Sequence, residues 1–446
     1  MKFEVMAKTV SRGDTRKRIG RSHLSTAASP EAEDVPTNRS LHAAKAAKQD
    51  EFYTQYVDIQ KEVEAYLEFD PNTFRGKVIY CNCDDPFESN FFKYFAANFN
   101  KLGLKKLATT TYDGSPIAGQ GTLFPEYNEG NGKRQKPKAL TVSIDHVKDE
   151  DGDGAANLTD VELFLKRNKA ARVALKGNDR YAGGDFRSPE CVALLKEADI
   201  VVTNPPFSLF REYVAQLVEH GKKFLIIGNL QAITYKEVFP LIKGDRLWMG
   251  VTIHSGDREF RVPDHYPLHA AGWRIDENGM KYIRVKGVRW WTNLDHGRRH
   301  EKLPLMTMGD NLRYSKHREI KGKAAYDRYD NFDAIEVPYT DAIPSDYAGM
   351  MGVPVTFLDK YNPEQFEIMG YEYSDELRTR EYPVQIQVDK KGKKSNVTKL
   401  NDVCALKVDP APTSQTYYIV NGNYFVAPYK RLFVRHRARP ARRPGR

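Results

Sequence analysis

Apolar positions between residues 52 and 69 recur at helical spacing, with Tyr56, Ile59, Val63, Tyr66 and Leu67 on one face; Pro71 predicts where that helix stops. The apolar run Val78-Ile79-Tyr80-Cys81 reads as a short buried strand, followed by a turn at Asp84-Asp85-Pro86. Helical periodicity resumes over 90–99, and 104–111 is a second strand candidate. Residues 113–148 are rich in Gly, Pro and polar groups, with a short strand over 140–144. The pattern then predicts helices over 161–175 and 189–198, a strand over 199–203, a helix over 209–220 and a strand over 223–227. Strands alternating with helices imply βαβ units, so the expected fold class is α/β, with a parallel sheet covered on both faces. Past about residue 243 the alternation gives way to shorter β-like runs, tryptophans and turn residues, which predicts a mixed, β-rich second region.

The two ends carry few large apolar groups. Residues 1–47 and 434–446 are expected to be disordered basic tails, flanking a first domain at 48–243 with an insert at about 114–180, and a second region at 244–433. The chain has 446 residues and 40% hydrophobic residues, enough for a sizeable core and two or three domains. No apolar run approaches membrane-spanning length and the first residues lack an apolar leader stretch, so a cytoplasmic, membrane-free protein is expected. Four cysteines fit a reducing compartment; Cys81 and Cys83, with no matching pair, read as strand thiols rather than zinc ligands.

Charge sharpens the picture once it is localised. The formal net charge is +10, yet residues 430–446 hold eight Lys/Arg and no acid, and residues 1–47 carry +4. The body, 48–429, is therefore at −2, while +7 sits on residues 274–328, where Tyr282, Trp290 and Trp291 interleave with the cations. Nucleic-acid reading needs cations on phosphates and planar or hydrogen-bonding groups at base edges. Arg289, Trp290, Asn293, His296, Arg298 and Arg299 are the expected nucleic-acid contacts, the alternative being a charged surface over a core of tryptophans.

The tetrapeptide Asn204-Pro205-Pro206-Phe207 directly follows the strand at 199–203, where a parallel sheet delivers its C-terminal end to a ligand crevice. The Asn side-chain oxygen and the rigid prolyl carbonyls are acceptors, and the Phe offers a face for stacking: a receptor for a planar amine. The alternative is a strand-ending Pro-Pro turn beside a core phenylalanine. The four residues resemble motif IV of the amino-group DNA methyltransferases. Together with Lys48-Gln49-Asp50-Glu51-Phe52-Tyr53-Thr54, Tyr80-Cys81-Asn82-Cys83-Asp84-Asp85-Pro86, the stretch 199–229, Tyr329-Asp330-Asn331-Phe332-Asp333-Ala334-Ile335 and Gly352-Val353-Pro354-Val355-Thr356-Phe357-Leu358, they look like the EcoRI-type adenine-specific DNA methyltransferases, over about 50–433.

That resemblance implies a seven-stranded Rossmann-like sheet that binds S-adenosyl-L-methionine, a C-terminal target-recognition region, and N6-methylation of a flipped adenine in duplex DNA, with Asn204, Pro205, Pro206 and Phe207 catalytic. It implies cofactor contacts from Phe52, Tyr53 and Thr54, from Asp84, Asp85 and Pro86, and from Asp185 and Phe186, with Asp113 as the candidate acid for the ribose or a plain turn residue. Glu88, Ser89 and Asn90 replace the glycines of the commoner D-P-F-x-G-x-G turn. Alternatives on the same scaffold are RNA or protein-glutamine methylation, or a catalytically silent DNA-binding protein; a cognate restriction endonuclease is a further candidate partner. Separately, Asp149, Asp151, Asp153, Asn157 and Asp160 sit at positions 1, 3, 5, 9 and 12 of a loop with Gly154 at position 6, which resembles the calcium loop of dockerin-type repeats; the alternative is a solvated acidic turn.

Overall fold

The computed structural model describes residues 54–84, 89–112, 139–154, 156–168, 171–254, 257–262, 268 and 272–437. Its centre is an eight-stranded sheet in the order β4-β3-β2-β1-β5-β6-β11-β7. The strands are β1 (Val78–Cys81), β2 (Lys106–Thr110), β3 (Leu140–Ile144), β4 (Arg172–Ala174), β5 (Ile200–Thr203), β6 (Lys223–Asn229), β7 (Trp248–Met249) and β11 (Val288–Thr292). β2, β1, β5 and β6 are mutually parallel. β3 and β11 run antiparallel to β2 and β6, and β7 is antiparallel to β11.

Alternation along the parallel strands explains both covered faces, since successive strand side chains point to opposite sides. Ile79, Ile200, Val202, Leu225 and Ile227 join one core with Ile59, Val63, Tyr66, Phe91 and Phe95 of the helices Tyr56–Phe69 and Asn90–Ala97. Tyr80, Val201, Phe224 and Ile226 join the other, with Leu195, Val214 and Leu217 of the helices Pro189–Glu197 and Phe210–Glu219. The helix starts are chemically marked. Ser89 Oγ accepts from Phe91 N, and Ser188 Oγ accepts from Cys191 N ahead of Pro189 in the first turn.

Several expectations are corrected. The helix expected over 161–175 is Leu158–Arg167, ends at Asn168 and is followed by β4, because Arg172-Val173-Ala174 pairs with β3 at the sheet edge. The sheet has eight strands rather than seven, and β3 and β11 run against the four parallel strands at its centre. The boundary expected at 243 falls inside the sheet: β11 and β7 extend it beyond β6. Val434 belongs to the buried strand β20 (Arg431–His436), so the expected C-terminal tail begins with sheet. The expected tail at 1–47 lies outside the described residues.

Three further sheets follow. β8 (Asp257–Val262), β10 (Lys281–Lys286) and β9 (Arg274–Ile275) form one. β12 (Ala334–Glu336), β13 (Met350–Pro354), β20 and β14 (Phe366–Tyr371) form another, whose Ile335, Val353, Leu432 and Val434 pack into the same core as Val201 and Phe224. The last, β16 (Lys394–Val397), β15 (Gln385–Val388), β18 (Tyr417–Val420), β19 (Asn423–Val426) and β17 (Leu406–Val408), has a small core of its own around Tyr382, Leu400 and Phe425. Asn331 ties it to the body: its Nδ2 donates to Leu400 O and Val403 O at 3.0 and 2.8 Å, and its Oδ1 accepts from Ala405 N at 2.9 Å.

Candidate active site

From β1 the chain passes to β2 on one side and later to β5 on the other, so the C-terminal ends of β1 and β5 flank a topological switch point, the place where open α/β sheets bind ligands. Polar residues converge there. Asp84, 7% exposed, accepts from Ser89 Oγ on one carboxylate oxygen and meets Thr203 Oγ1 on the other, both at 2.6 Å. Thr109 Oγ1 donates to Cys81 O at 3.0 Å, and Thr110 Oγ1 to Asn82 Oδ1 at 2.9 Å. Asp84 N donates to Thr110 O, which closes the turn through the left-handed Cys83 (φ +64°). The ends of β1, β2 and β5 are thus fastened to one another immediately before Asn204.

Asn204, Pro205 and Pro206 are buried and Phe207 is half-buried against the core. Pro206 O accepts from Leu209 N at 3.0 Å and opens a 3-10 turn into the helix Phe210–Glu219. The tetrapeptide also carries the Asn204 side-chain oxygen and Pro205 O, both acceptors by their chemistry. Beside them lies a narrow slot lined by Cys83, Tyr112, Gly184, Asp185, Phe186, Pro206 and Leu209. Gly184 is required by the backbone: at φ +78° a Cβ would come within 1.8 Å of Thr111 O. Asp185 is clamped by Arg187, whose Nε and Nη2 reach its two oxygens at 2.9 and 2.8 Å, and this pairing raises the pKa of the guanidinium. Phe186 is buried edge-on to Tyr213, with ring centres 5.0 Å apart.

Of the expected cofactor residues, Asp84, Asp185 and Phe186 therefore gather around the switch point with Pro206. Thr54 O accepts from Asn90 Nδ2 at 2.7 Å at the start of the helix that follows the β1 turn. Thr54 Oγ1 is buried without a hydrogen-bond partner among the described residues. Phe52, Tyr53, Asp85, Pro86 and Asp113 lie outside the described residues. Sequence reasoning missed Thr203, Ser89, Thr109, Thr110, Cys83 and Tyr112. The run Thr109-Thr110-Thr111 at the end of a buried strand was the available signal, since buried hydroxyls need partners; Tyr112 carried none.

Of the expected DNA contacts, Arg289 and Trp290 stand opposite Gly228 and Ile227, level with the end of β5, but are buried, and the others follow the end of β11. β11 is antiparallel to β6, with Thr292 opposite Leu225, so residues 293–300 emerge at the N-terminal edge of the parallel strands. That edge is at least about 13 Å from Asn204, the length of a four-residue strand. Arg289 is 3% exposed and forms a two-pronged ion pair with Asp359 at 2.9 and 3.2 Å. Trp290 is core, edge-on to Phe91. Asn293 accepts from Phe224 N and donates to Lys222 O, stapling the start of β6. Buried His296 shares a hydrogen bond with Met249 O, and burial pushes its pKa down to about 4. Arg299 lies over the Trp248 ring and pairs with Asp245 and Asp295, while Arg298 is bonded to Val251 O and His254. A basic, tryptophan-rich stretch reads alike as groove contacts or as cations folded over a core, and here it is the second.

The acidic loop is corrected as well. Asp149, Asp151 and Asp153 lie together, exposed. Asp160, the expected twelfth-position ligand, instead spends its oxygens on Glu150 N, Asp151 N and Asn157 N, and Asn157 Oδ1 caps the next helix through Thr159 N. Two of the five expected ligands are thus helix-capping groups, and calcium finds no support.

Comparison with known proteins decides the family. The profile of the family described as adenine-specific methyltransferase EcoRI matches residues 40–436. The chain belongs to that family. It is an adenine-specific methyltransferase, 46% identical over 342 residues to the type II methyltransferase M.EcoRI of Escherichia coli, a match covering 75% of this chain and 90% of that protein. The type II methyltransferases M.MpnI of Mycoplasma pneumoniae and M.MgeORF184P of Mycoplasma genitalium are each 34% identical, over 77% of this chain and 90% of their own. No solved structure matches. Among the described residues no helix of this methyltransferase is long and apolar enough to cross a membrane.

Proposed function

We propose that the eight-stranded sheet is a Rossmann-like methyltransferase sheet and that the protein transfers a methyl group from S-adenosyl-L-methionine to the N6 amine of one adenine within a specific duplex DNA sequence. The observation that carries this reading is the position of Asn204-Pro205-Pro206-Phe207: it leaves β5 at the switch point and shares the slot of Asp185 and Phe186 through Pro206. The lining of the slot matches the cofactor's adenosine half in kind, with an aromatic wall, an acid and a glycine backbone, and Thr54 Oγ1, buried without a partner among the described residues, suits a polar ligand group. Asp185, Phe186, Asp84 and Thr54 would hold the cofactor, which when bound supplies a methyl group made electrophilic by its sulfonium.

An adenine amine is a poor nucleophile because its lone pair is delocalised into the ring. Hydrogen bonds from its two N–H groups to Asn204 Oδ1 and Pro205 O favour a pyramidal nitrogen with that pair localised. The prolines keep both acceptors rigid, so little reorganisation is needed at the moment of transfer. A stacked base is out of reach, so the adenine is turned out of the duplex at a cost of a few kcal/mol and received beside the Phe207 ring. Asp84, Ser89 and Thr203 hold the ends of β1 and β5 in register and thereby position Asn204. The type II designation of the relatives favours a role in restriction–modification, within the cell, with an endonuclease of the same site as counterpart. The test offers labelled methyl donor with duplex DNA, RNA or protein and maps the product. N6-methyladenine at one DNA sequence supports the reading; label in RNA or glutamine, or in none, refutes it.

A further inference from the structure

With Arg289, Trp290, His296 and Arg299 buried, other surfaces are candidates for gripping DNA, and among the described residues one exposed basic element stands apart from the slot and the large cores: the hairpin joining β15 to β16. Its turn carries Lys390, Lys391, Lys393 and Lys394, all exposed. The turn is built rather than loose. Asp389 Oδ1 accepts from Lys391 N and Lys393 N at 2.8 and 2.9 Å, Asp389 N donates to Lys393 O, and Gly392 takes the left-handed φ of +78°. The one acid of the turn is thus folded back onto the backbone, while four exposed cations crowd within five residues of the tip.

Edge protection is the obvious alternative, because β16 is the outer strand of its sheet. Protection of an edge calls for charge along the strand, however, and after Lys394 the strand reads Ser395-Asn396-Val397; the cations are concentrated at the tip. The base of the hairpin also lies on the reacting side of the body. Lys399, just beyond β16, stands over the Tyr373 ring at 5.6 Å and repels Lys430. Lys430 Nζ in turn donates to Gln231 Oε1 at 2.5 Å, and Gln231 sits in the 3-10 turn Leu230–Thr234 that leaves the C-terminal end of β6, next to β5 and Asn204. A four-residue strand adds about 13 Å of reach from that base.

We propose that the β15–β16 hairpin is a phosphate-gripping finger, its four lysines holding the backbone of duplex DNA while Asn204 acts on the flipped base. The proposal rests on the DNA reading above. Its test uses the full chain with Lys390, Lys391, Lys393 and Lys394 all changed to Ala, and a second variant with the four changed to Arg. Duplex affinity is measured between about 50 and 200 mM salt, with kcat at saturating DNA and the melting temperature alongside. The Ala variant is expected to lose about 10- to 1,000-fold in affinity at low salt, with the slope of log K against log salt shallower by about 2 to 4, near 0.9 per lost phosphate contact. Its kcat and melting temperature stay at wild-type values, and the Arg variant keeps the slope. A wild-type slope in the Ala variant, in an enzyme that still methylates DNA, overturns the finger alone; a wild-type protein that neither binds nor methylates duplex DNA overturns the reading beneath it.

Discussion

At the C-terminal edge of the parallel strands, Asp84, Thr203, Ser89 and Asn82 are bonded to one another around a slot that receives Asp185, Phe186 and Pro206. At the opposite edge, Asn293, His296, Arg298 and Arg299 are bonded to backbone carbonyls, to Asp245 and Asp295, and to the Trp248 face. Both edges are rich in polar side chains and both carry an opening: the first holds the slot beside Asn204-Pro205-Pro206-Phe207, and the second a wider cleft lined by Asp70, Lys77, Asp199, Lys222, Lys223 and Asp295, beside which Asn293, His296 and Arg299 are bonded inward. Parallel strands impose this asymmetry: their connecting helices return the chain to the bottom of the sheet, while loops at the top of β1 and β5 diverge and leave a crevice. Asn293, His296 and Arg299 at the bottom therefore serve packing, whereas Asp84, Asp185 and Asn204 stand where the crevice opens.

The largest expected effect is at Arg289, which stands opposite Gly228 near the C-terminal end of β6 and is nevertheless buried against Asp359. Arg289→Ala strands the Asp359 carboxylate in the core, and truncating one partner of a buried pair costs about 3–5 kcal/mol. Denaturant unfolding is expected to show that loss, while the salt slope of DNA binding stays put; a stable variant with a shallower slope would return Arg289 to the DNA.

Next is the pH response of His296. With Nε2–H donating to Met249 O, Nδ1 is a buried acceptor without a partner, so protonation would bury a second, unsatisfied N–H. The folded pKa of about 4 lies below the ordinary 6.5, so the unfolded chain binds more protons between those values. Stability attributable to this residue is present above pH 6.5 and lost as pH falls toward 4, by at most about 3 kcal/mol. His296→Phe should flatten that part of the stability–pH profile; an unchanged profile would place the ring in solvent.

The smallest expected effect is also the sharpest for function. Replacing Arg298 and Arg299 together by Ala should lower the unfolding midpoint through the lost Asp245, Asp295 and Trp248 contacts. The salt slope of DNA binding should not move. A slope shallower by about 2 would restore residues 298 and 299 to the interface.

The contrast also explains what could be read from the residues alone. Short buried strands are self-announcing: Val78-Ile79-Tyr80-Cys81 and Ile200-Val201-Val202-Thr203 lie where their apolar runs put them. The tetrapeptide Asn204-Pro205-Pro206-Phe207 stood out because a strand end, an amide and two prolines have few other uses in that order, and it does follow the end of β5. Residues 289–300 were not, because a guanidinium aimed at phosphate and one aimed at Asp359, seventy residues away, leave the same local pattern. Nor was the length of the helix Leu158–Arg167, since Arg172-Val173-Ala174 continues an apolar rhythm and becomes a strand only by pairing with β3. Asp160 misled for a related reason: a carboxylate at a calcium-loop position and one in a capping box differ only in where the backbone amides point.

Asn204, at the end of β5, is proposed to make the amine reactive rather than merely to end a strand. Single-turnover methyl transfer by Asn204→Ala, at saturating duplex DNA and S-adenosyl-L-methionine, tests it most directly. The predicted result is a rate about 100- to 1,000-fold below wild type, on the scale of losing one preorganised hydrogen-bonding group, with DNA and cofactor affinities unchanged. A rate indistinguishable from wild type would contradict the assignment of Asn204 and the mechanism built on it.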